Sequence, residues 1–300
     1  MIAVRVCRLF IQMPNVSVII PTFNRAHLIK ESVSSVLAQT FKPKEVIVVD
    51  DGSSDKTWDI LKNLGFSLSE SRKNTLRYIY KENGGVSSAR NIGIELSSSE
   101  YVALLDSDDQ WKPSKLEAQL SSLKKESFSC RVSHTNEIWI RNGIRVNQHK
   151  KHSKNGGDLF EKCLKMCCIS PSSALIHRTV FNDLGGFDES LKACEDYDFW
   201  LRYCAFEETH FLNEQLTIKN GGHSDQLSQK YWGMDRFRIY SLEKLLKNKN
   251  LSRSKYELAL TELILKLKIL MNGSMKRGKK DFTDELNKKI IHFESLLDNE

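Results

Sequence analysis

Apolar and polar positions change their period in blocks along the first third of the chain. Val16-Ser-Val-Ile-Ile20 is a short β-branched run that meets Pro21, and it predicts a buried strand. Over Leu28–Gln39 the period lengthens, and Leu28, Ile29, Val33, Val36 and Leu37 fall on one helical face. Glu45-Val-Ile-Val-Val49 predicts a second buried strand ending at Asp50-Asp51-Gly52-Ser53, followed by a helix over Asp55–Leu64. Leu76–Tyr80 reads as a strand and Ser87–Leu96 as a helix. Tyr101-Val-Ala-Leu-Leu105 reads as a further strand that stops at Asp106. Strands alternating with helices imply crossover connections and a mainly parallel sheet. In open sheets of this kind ligands bind beyond the carboxyl ends of the strands. The acidic turns Asp50-Asp51 and Asp106-Ser107-Asp108 both fall at such ends, so both are expected around one crevice.

Beyond about residue 115 the pattern loosens. Val132–Ile140 and Arg145–Gln148 predict strands on either side of an Asn142-Gly143 turn. Asn155-Gly156-Gly157-Asp158 reads as a loop, Ser173–Ile176 is apolar, and Asp196–Cys204 is helix-like. From Trp232 onward three helical segments are expected near 233–248, 253–271 and 281–297. There is no internal repeat and no low-complexity tract.

Composition narrows the class. A chain of 300 residues, 40% hydrophobic and 28% charged, suits one large domain or one domain with an appendage. No window approaches the roughly 18 apolar residues of a spanning helix. Residues 1–13 are apolar with two arginines, but they lack the unbroken core and the cleavage site of a signal peptide. A blander alternative is that Met13 is the start and the preceding residues are an extension. The net charge of +7 suits nucleotide phosphates, nucleic acid, an anionic membrane or simply a solvated basic surface. Seven cysteines without a paired framework point to a reduced, cytoplasmic compartment. Cys163, Cys167 and Cys168 lack the paired spacing of a structural zinc site, so they are expected to be buried or on a helix face.

The candidate chemistry starts at Asp106-Ser107-Asp108-Asp109. Carboxylates at alternate positions after a strand converge on a hard cation if the backbone turns there. The plain structural alternative is an acidic turn capping the helix after Trp111. Four other segments bear on the choice. They are Val18-Ile-Ile-Pro21-Thr22-Phe23-Asn24-Arg25, Val48-Val-Asp50-Asp51-Gly52-Ser53, Asn83-Gly84-Gly85-Val-Ser-Ser-Ala89-Arg90-Asn91, and Gly185-Gly186-Phe187-Asp188-Glu189 with Glu195-Asp196. In this order they closely resemble the family-2 inverting glycosyltransferases, over about residues 14–225. The resemblance implies a GT-A type α/β fold, a nucleotide-binding, mainly parallel mixed sheet flanked by helices. The implied organisation is an N-terminal extension at 1–13, the GT-A domain at 14–228 and a helical C-terminal region at 229–300.

The resemblance also implies roles. Pro21 and Thr22 shape the turn beneath the nucleobase, with Asn24 beside them, and Arg25 reaches a phosphate or the base. Asp50, with Asp51 as second candidate, reads the nucleoside. Gly85 and Arg90 close over the donor. Asp106, Ser107 and Asp108 hold the diphosphate through Mg2+ or Mn2+, with His223 as a further ligand to the metal or diphosphate. Asp196 is the base that takes the acceptor proton, with Glu195 orienting the acceptor or loop. Asp198 is a rival, and a charged helix start is the structural alternative.

The implied partners are a nucleotide-sugar donor, of uridine type, and a glycan or lipid-linked acceptor, not nucleic acid. The processive Q-x-x-R-W motif is missing, as are the G-x-G-x-x-G and P-loop patterns. Single addition is therefore expected, in cell-surface glycan or polysaccharide assembly. Trp200 and Trp232 are candidates for sugar stacking or, for Trp200 above all, core packing. The tail has two readings: a packing or homodimer element around Leu258, Leu260, Leu263, Leu267 and Leu270, or a peripheral contact of the basic loop Lys276–Lys280 with the inner membrane face. A non-catalytic nucleotide-sugar binder or partner subunit stays open. A sugar-phosphate nucleotidyltransferase is disfavoured, because the first strand runs into Pro21-Thr22 instead of a Gly-rich basic loop.

Overall fold

The computed structural model describes residues 13–69, 71–222 and 230–298. Strands β1 (Val16–Thr22) and β2 (Glu45–Asp50) are buried at every position. Side chains alternate across a strand, and these divide between two cores. Ile19, Ile47 and Val49 enter one, while Val18, Ile20, Val46 and Val48 enter the other. A strand apolar on both faces needs cover on both. Helices α1 (Ile29–Leu37), α2 (Thr57–Asn63) and α4 (Lys115–Lys125) cover the second core through Ile29, Leu61 and Leu116. Helices α3 (Val86–Leu96) and α7 (Glu195–Cys204) cover the first through Ala89, Ile94 and Trp200, and α5 (Phe160–Lys165) and α6 (Thr179–Leu184) join them.

The sheet order is β3 (Ser67–Leu68), β4 (Leu76–Tyr80), β2, β1, β5 (Tyr101–Leu104), β9 (Ala174–His177), β7 (Val132–Arg141), β10 (His210–Gly221) and β6 (Gln110–Trp111), with β8 (Ile144–Val146) hairpinned onto β7. The first five run parallel. Antiparallel β9 then joins β5 to β7, and β10 lies parallel to β7 and antiparallel to β6. This is the mixed, mainly parallel α/β sheet that the alternating pattern predicts.

Two elements differ from the expectation. Pro21 does not end β1, which keeps its register with β2 as far as Thr22↔Asp50. Pairing with β5 has already stopped at Ile19↔Leu104, so Pro21 sits where the strand has one neighbour only. Strand β10 is not foreshadowed at all. Its register against β7 shifts twice between Leu212 and Thr217, so no clean alternation marks it.

Helices α8 (Asp235–Leu246), α9 (Arg253–Met275) and α10 (Lys280–Asp298) pack on the α7 side. Ile239, Leu242, Leu245, Leu263 and Leu267 share one core with Trp200 and Phe199. Of the tail leucines, Leu260, Leu263, Leu267 and Leu270 are buried inside the chain, whereas Leu258 is 41% exposed. Trp200 is fully buried and is a core residue. Trp232 is half exposed and lies between the cations Arg236 and Lys279. Cys163 and Cys168 are buried, as expected, and contact one another and the buried Cys204, whereas Cys167 is only partly buried. Among the described residues no helix is long and apolar enough to cross a membrane. His223 and residues 1–12 lie outside the described residues.

Candidate active site

A cleft of about 1350 Å³ opens at the carboxyl ends of the parallel strands. Pro21, Thr22, Asn24 and Arg25 line it after β1, Asp51 after β2, and Asp106, Ser107 and Asp108 after β5. Glu195 and Asp196, from the first turn of α7, line a second wall of it. The two acidic turns therefore do meet around one crevice.

The loops are fixed to one another before any ligand arrives. Asn24, with a left-handed φ of 52°, donates its backbone N–H to Ser53 Oγ (2.7 Å) and accepts at Oδ1 from the Ser54 N–H (2.8 Å). Asp51 accepts from Lys81 Nζ (2.6 Å), Asn83 Nδ2 (3.0 Å) and the N–H groups of Gly84 (2.9 Å) and Gly85 (2.7 Å). That carboxylate folds the glycine loop against the cleft. Gly85, at φ 93°, adopts a conformation that side chains disfavour.

Asp50 departs from its expected role. It is fully buried and absent from the cleft wall, with its oxygens accepting from Tyr78 Oη (2.7 Å) and the Ser53 N–H (2.7 Å). Asp51 is the member of the pair that faces the cleft.

The turn at 106–109 is pinned from three elements. Ser32 Oγ, on α1, donates to the carbonyls of Ser107 (2.8 Å) and Asp109 (2.7 Å). Ser172 Oγ accepts from the Asp106 N–H (3.1 Å), and Asn220 Nδ2, on β10, donates to the Asp108 carbonyl (2.7 Å). Ser107 is thereby held at the wall by its backbone.

Arg90 is the bridge of the site. Its guanidinium donates to Asp106 Oδ1 and to Glu195 Oε1, each at 2.7 Å, and its face lies over the Phe187 ring. The residue is 3% exposed with both terminal nitrogens engaged, so it joins the two walls while lining the cleft. Burial pushes the Asp106 carboxyl up, but Arg90 beside it more than offsets this and holds it below the ordinary range. Asp108 goes the other way: burial and the neighbouring Asp106 raise it against the pull of Arg25, 3.9 Å away. Glu195 is raised too, by burial and by Asp196, against Arg90.

Asp196 is the part-buried carboxylate of the α7 wall. Its Oδ2 accepts from the Cys167 thiol (3.2 Å) and its Oδ1 from the Tyr197 N–H (2.7 Å). Cys194, just before α7, has a left-handed φ of 63°, an arrangement that costs roughly 1–3 kcal/mol and clusters at functional sites. The rival Asp198 is fully buried away from the cleft, tied to Arg202 (2.8 Å) and Lys244 (2.6 Å).

Among the described residues no group of three or more His, Cys, Asp or Glu side chains forms a closed metal cage. The residues present still fit magnesium or manganese. Such ions are commonly held by one or two carboxylates plus substrate phosphates, and Asp106 raising the carboxyl of Asp108 is the like-charge strain that a cation relieves.

A family model described as glycosyl transferase family 2 matches residues 17–185, more than half of the chain. The chain belongs to glycosyl transferase family 2. Relatives include an uncharacterized glycosyltransferase of Rickettsia typhi, 36% identical over 71% of this chain and 65% of the relative. The UDP-Glc:alpha-D-GlcNAc-diphosphoundecaprenol beta-1,3-glucosyltransferase WfgD of Escherichia coli is 37% identical over 62% of this chain and 68% of WfgD. The chain spans 65% of the Rickettsia typhi relative's length and 36% of that of a Rickettsia felis glycosyltransferase. Among solved structures, S. aureus TarS 1–349 in complex with UDP-GlcNAc superposes with a TM-score of 0.72 at 21% identity, covering 93% of this chain and 81% of that one, which establishes a shared fold.

Several cleft residues were not foreshadowed by the motifs. Lys219 of β10, Cys167, and Met234 and Arg238 at the start of α8 all line the cleft. They lie on elements without periodic signal or in the tail, where no motif marks them.

Proposed function

We propose that this protein transfers a glycosyl group, with inversion, from a nucleotide-sugar of uridine type to an acceptor hydroxyl in cell-surface glycan assembly. One observation carries the reading. Arg90 ties Asp106 to Glu195, so a carboxylate pair suited to a diphosphate's metal and the carboxylate of Asp196 line one cleft. Inversion needs a base distinct from the group that holds the diphosphate, because the acceptor must attack opposite the leaving group. The names of relatives support the setting: WfgD acts from UDP-Glc, and a putative teichuronic acid biosynthesis glycosyltransferase of Bacillus subtilis is 42% identical over 41% of this chain.

In the step itself, the acceptor oxygen forms a bond to the anomeric carbon as the bond from that carbon to the diphosphate oxygen breaks. Asp196 takes the hydroxyl proton. Its Oδ2 is oriented by the Cys167 thiol, while Glu195 is held against Arg90 and keeps the start of α7 in place. Asp51, with the Asn83–Gly85 loop folded on it, forms the nucleoside end. Asp106 and Asp108 would hold Mg2+ or Mn2+, which when bound neutralises charge on the departing diphosphate.

The Asp196→Asn variant tests the reading. It should bind donor with nearly unchanged Kd and turn over about 10²-fold more slowly or worse, the usual worth of a general base. Undiminished turnover in that variant would remove Asp196 from the role.

A further inference from the structure

Lys219 lines the cleft, and its ammonium makes no ion pair or hydrogen bond among the described residues. It stands near the end of β10 and lines the cleft beside Asn220, whose backbone N–H donates to Asp109 Oδ1 (3.0 Å). The carboxylates of Asp109, Glu137, Asp106 and Asp196 act on it electrostatically. Among the described residues none of them makes an ion pair or hydrogen bond with its ammonium, although Arg25, Lys81 and Arg90 are each paired with a carboxylate of the site.

Lys219 is only partly buried, so its ammonium can present hydrogen-bond donors to the cleft. The surrounding negative field keeps it charged, and burial alone would do the reverse. The field comes from both walls, from the acidic turn that would grip the diphosphate and from Asp196. No single carboxylate claims the three N–H donors, so they are left for a ligand. Asp109 sharpens the point. Its Oδ2 is buried without a partner, so even the neighbouring carboxyl does not close on the lysine.

We infer that Lys219 binds the diphosphate of the donor directly, as a fixed cation additional to the metal held by Asp106 and Asp108. This rests on the donor-site reading above. It goes beyond that reading in giving the leaving group a permanent protein charge on a strand, independent of metal loading. A fixed cation stabilises charge as it develops on a departing group, with little reorganisation.

The test is calorimetric titration of the full chain with UDP and with uridine, in Mn2+ and in EDTA. The wild-type protein should bind UDP more tightly than uridine in both. Lys219→Met should leave the uridine Kd unchanged and weaken UDP by about ten- to a hundredfold, the worth of a hydrogen bond to a charged group. Lys219→Arg should restore most of the loss. If Met does not fold, Lys219→Gln carries the same comparison. Equal UDP binding by wild type and the neutral variant overturns the assignment while leaving the donor site intact. So does equal weakening of UDP and uridine, which marks a structural role, or a loss confined to Mn2+. If the wild-type protein binds none of UDP, GDP or dTDP, the donor reading falls and the assignment with it.

Discussion

Glu137, on β7, shows how a single buried side chain is held by its neighbours. It is 1% exposed and accepts from Lys154 Nζ (2.9 Å), Trp139 Nε1 (2.8 Å) and Ser170 Oγ. Burial raises its carboxyl, but Lys154, Lys219 and these hydrogen bonds outweigh burial and bring it from an ordinary 4.5 to about 2. A lowered native value favours the ionised folded form. The stability it contributes is therefore full above about pH 4.5 and is lost as pH falls toward 2. Glu137→Gln should be less stable than wild type at pH 7, and the gap should shrink by on the order of 3 kcal/mol as the pH is lowered through that window. Urea unfolding at a series of pH values measures it; a gap independent of pH would show that the charge of Glu137 is not what matters. The residue scale is also where motif reading is least complete. Asp50 and Asp51 are neighbours at a strand end, and neighbours on a strand point to opposite sides. The sequence places both at the edge, but which one meets the cleft depends on which side the loop at 83–85 closes, a long-range contact.

At the scale of elements, α3 does two jobs: it covers one core and carries Arg90 to both walls. Its approach to β1 is set by Gly93, where an added Cβ would lie 2.3 Å from Ile19 Cγ2 and 3.3 Å from Val49 Cγ2. Gly93→Ala should destabilise the fold by about 1–3 kcal/mol, the usual cost of overpacking, and Ile19→Ala in the same chain should return part of it. Thermal unfolding of the single and double variants checks this, and additive losses would contradict a direct clash. The parallel half of the sheet was legible from periodicity alone, since strands buried on both faces leave apolar runs and their helices leave a 3.6-residue stripe. Strand β10 was not. It contributes Lys219 and Asn220 to the site, yet it is bulged and carries Asn213, Glu214 and Gln215 at its exposed centre, so neither apolar run nor alternation betrays it.

Across the whole molecule the cleft lies where three bodies of structure meet: the parallel strands with their acidic turns, the α7 wall, and the first of the C-terminal helices. Met234 and Arg238 line the cleft from that last direction, and Arg238 also lies over the Tyr197 ring. Family motifs located the first two and stopped there, because the tail's pattern reports only its helices. A smaller hollow of about 390 Å³ beside the β7–β8 hairpin lies apart from the motif residues. The central claim is that the larger cleft takes a nucleotide-sugar with a divalent cation on Asp106 and Asp108. Ligand binding to the native state raises stability by about 2.7 kcal/mol at roughly a hundredfold excess over Kd. The most direct measurement is therefore the melting temperature of the protein with a panel of nucleotide-sugars, with and without Mn2+, for wild type and Asp108→Asn. The account predicts that at least one uridine-type sugar raises the wild-type melting temperature and does so more with Mn2+, and that Asp108→Asn loses the manganese-dependent part. A wild-type protein that no nucleotide-sugar stabilises, with or without the metal, would contradict it.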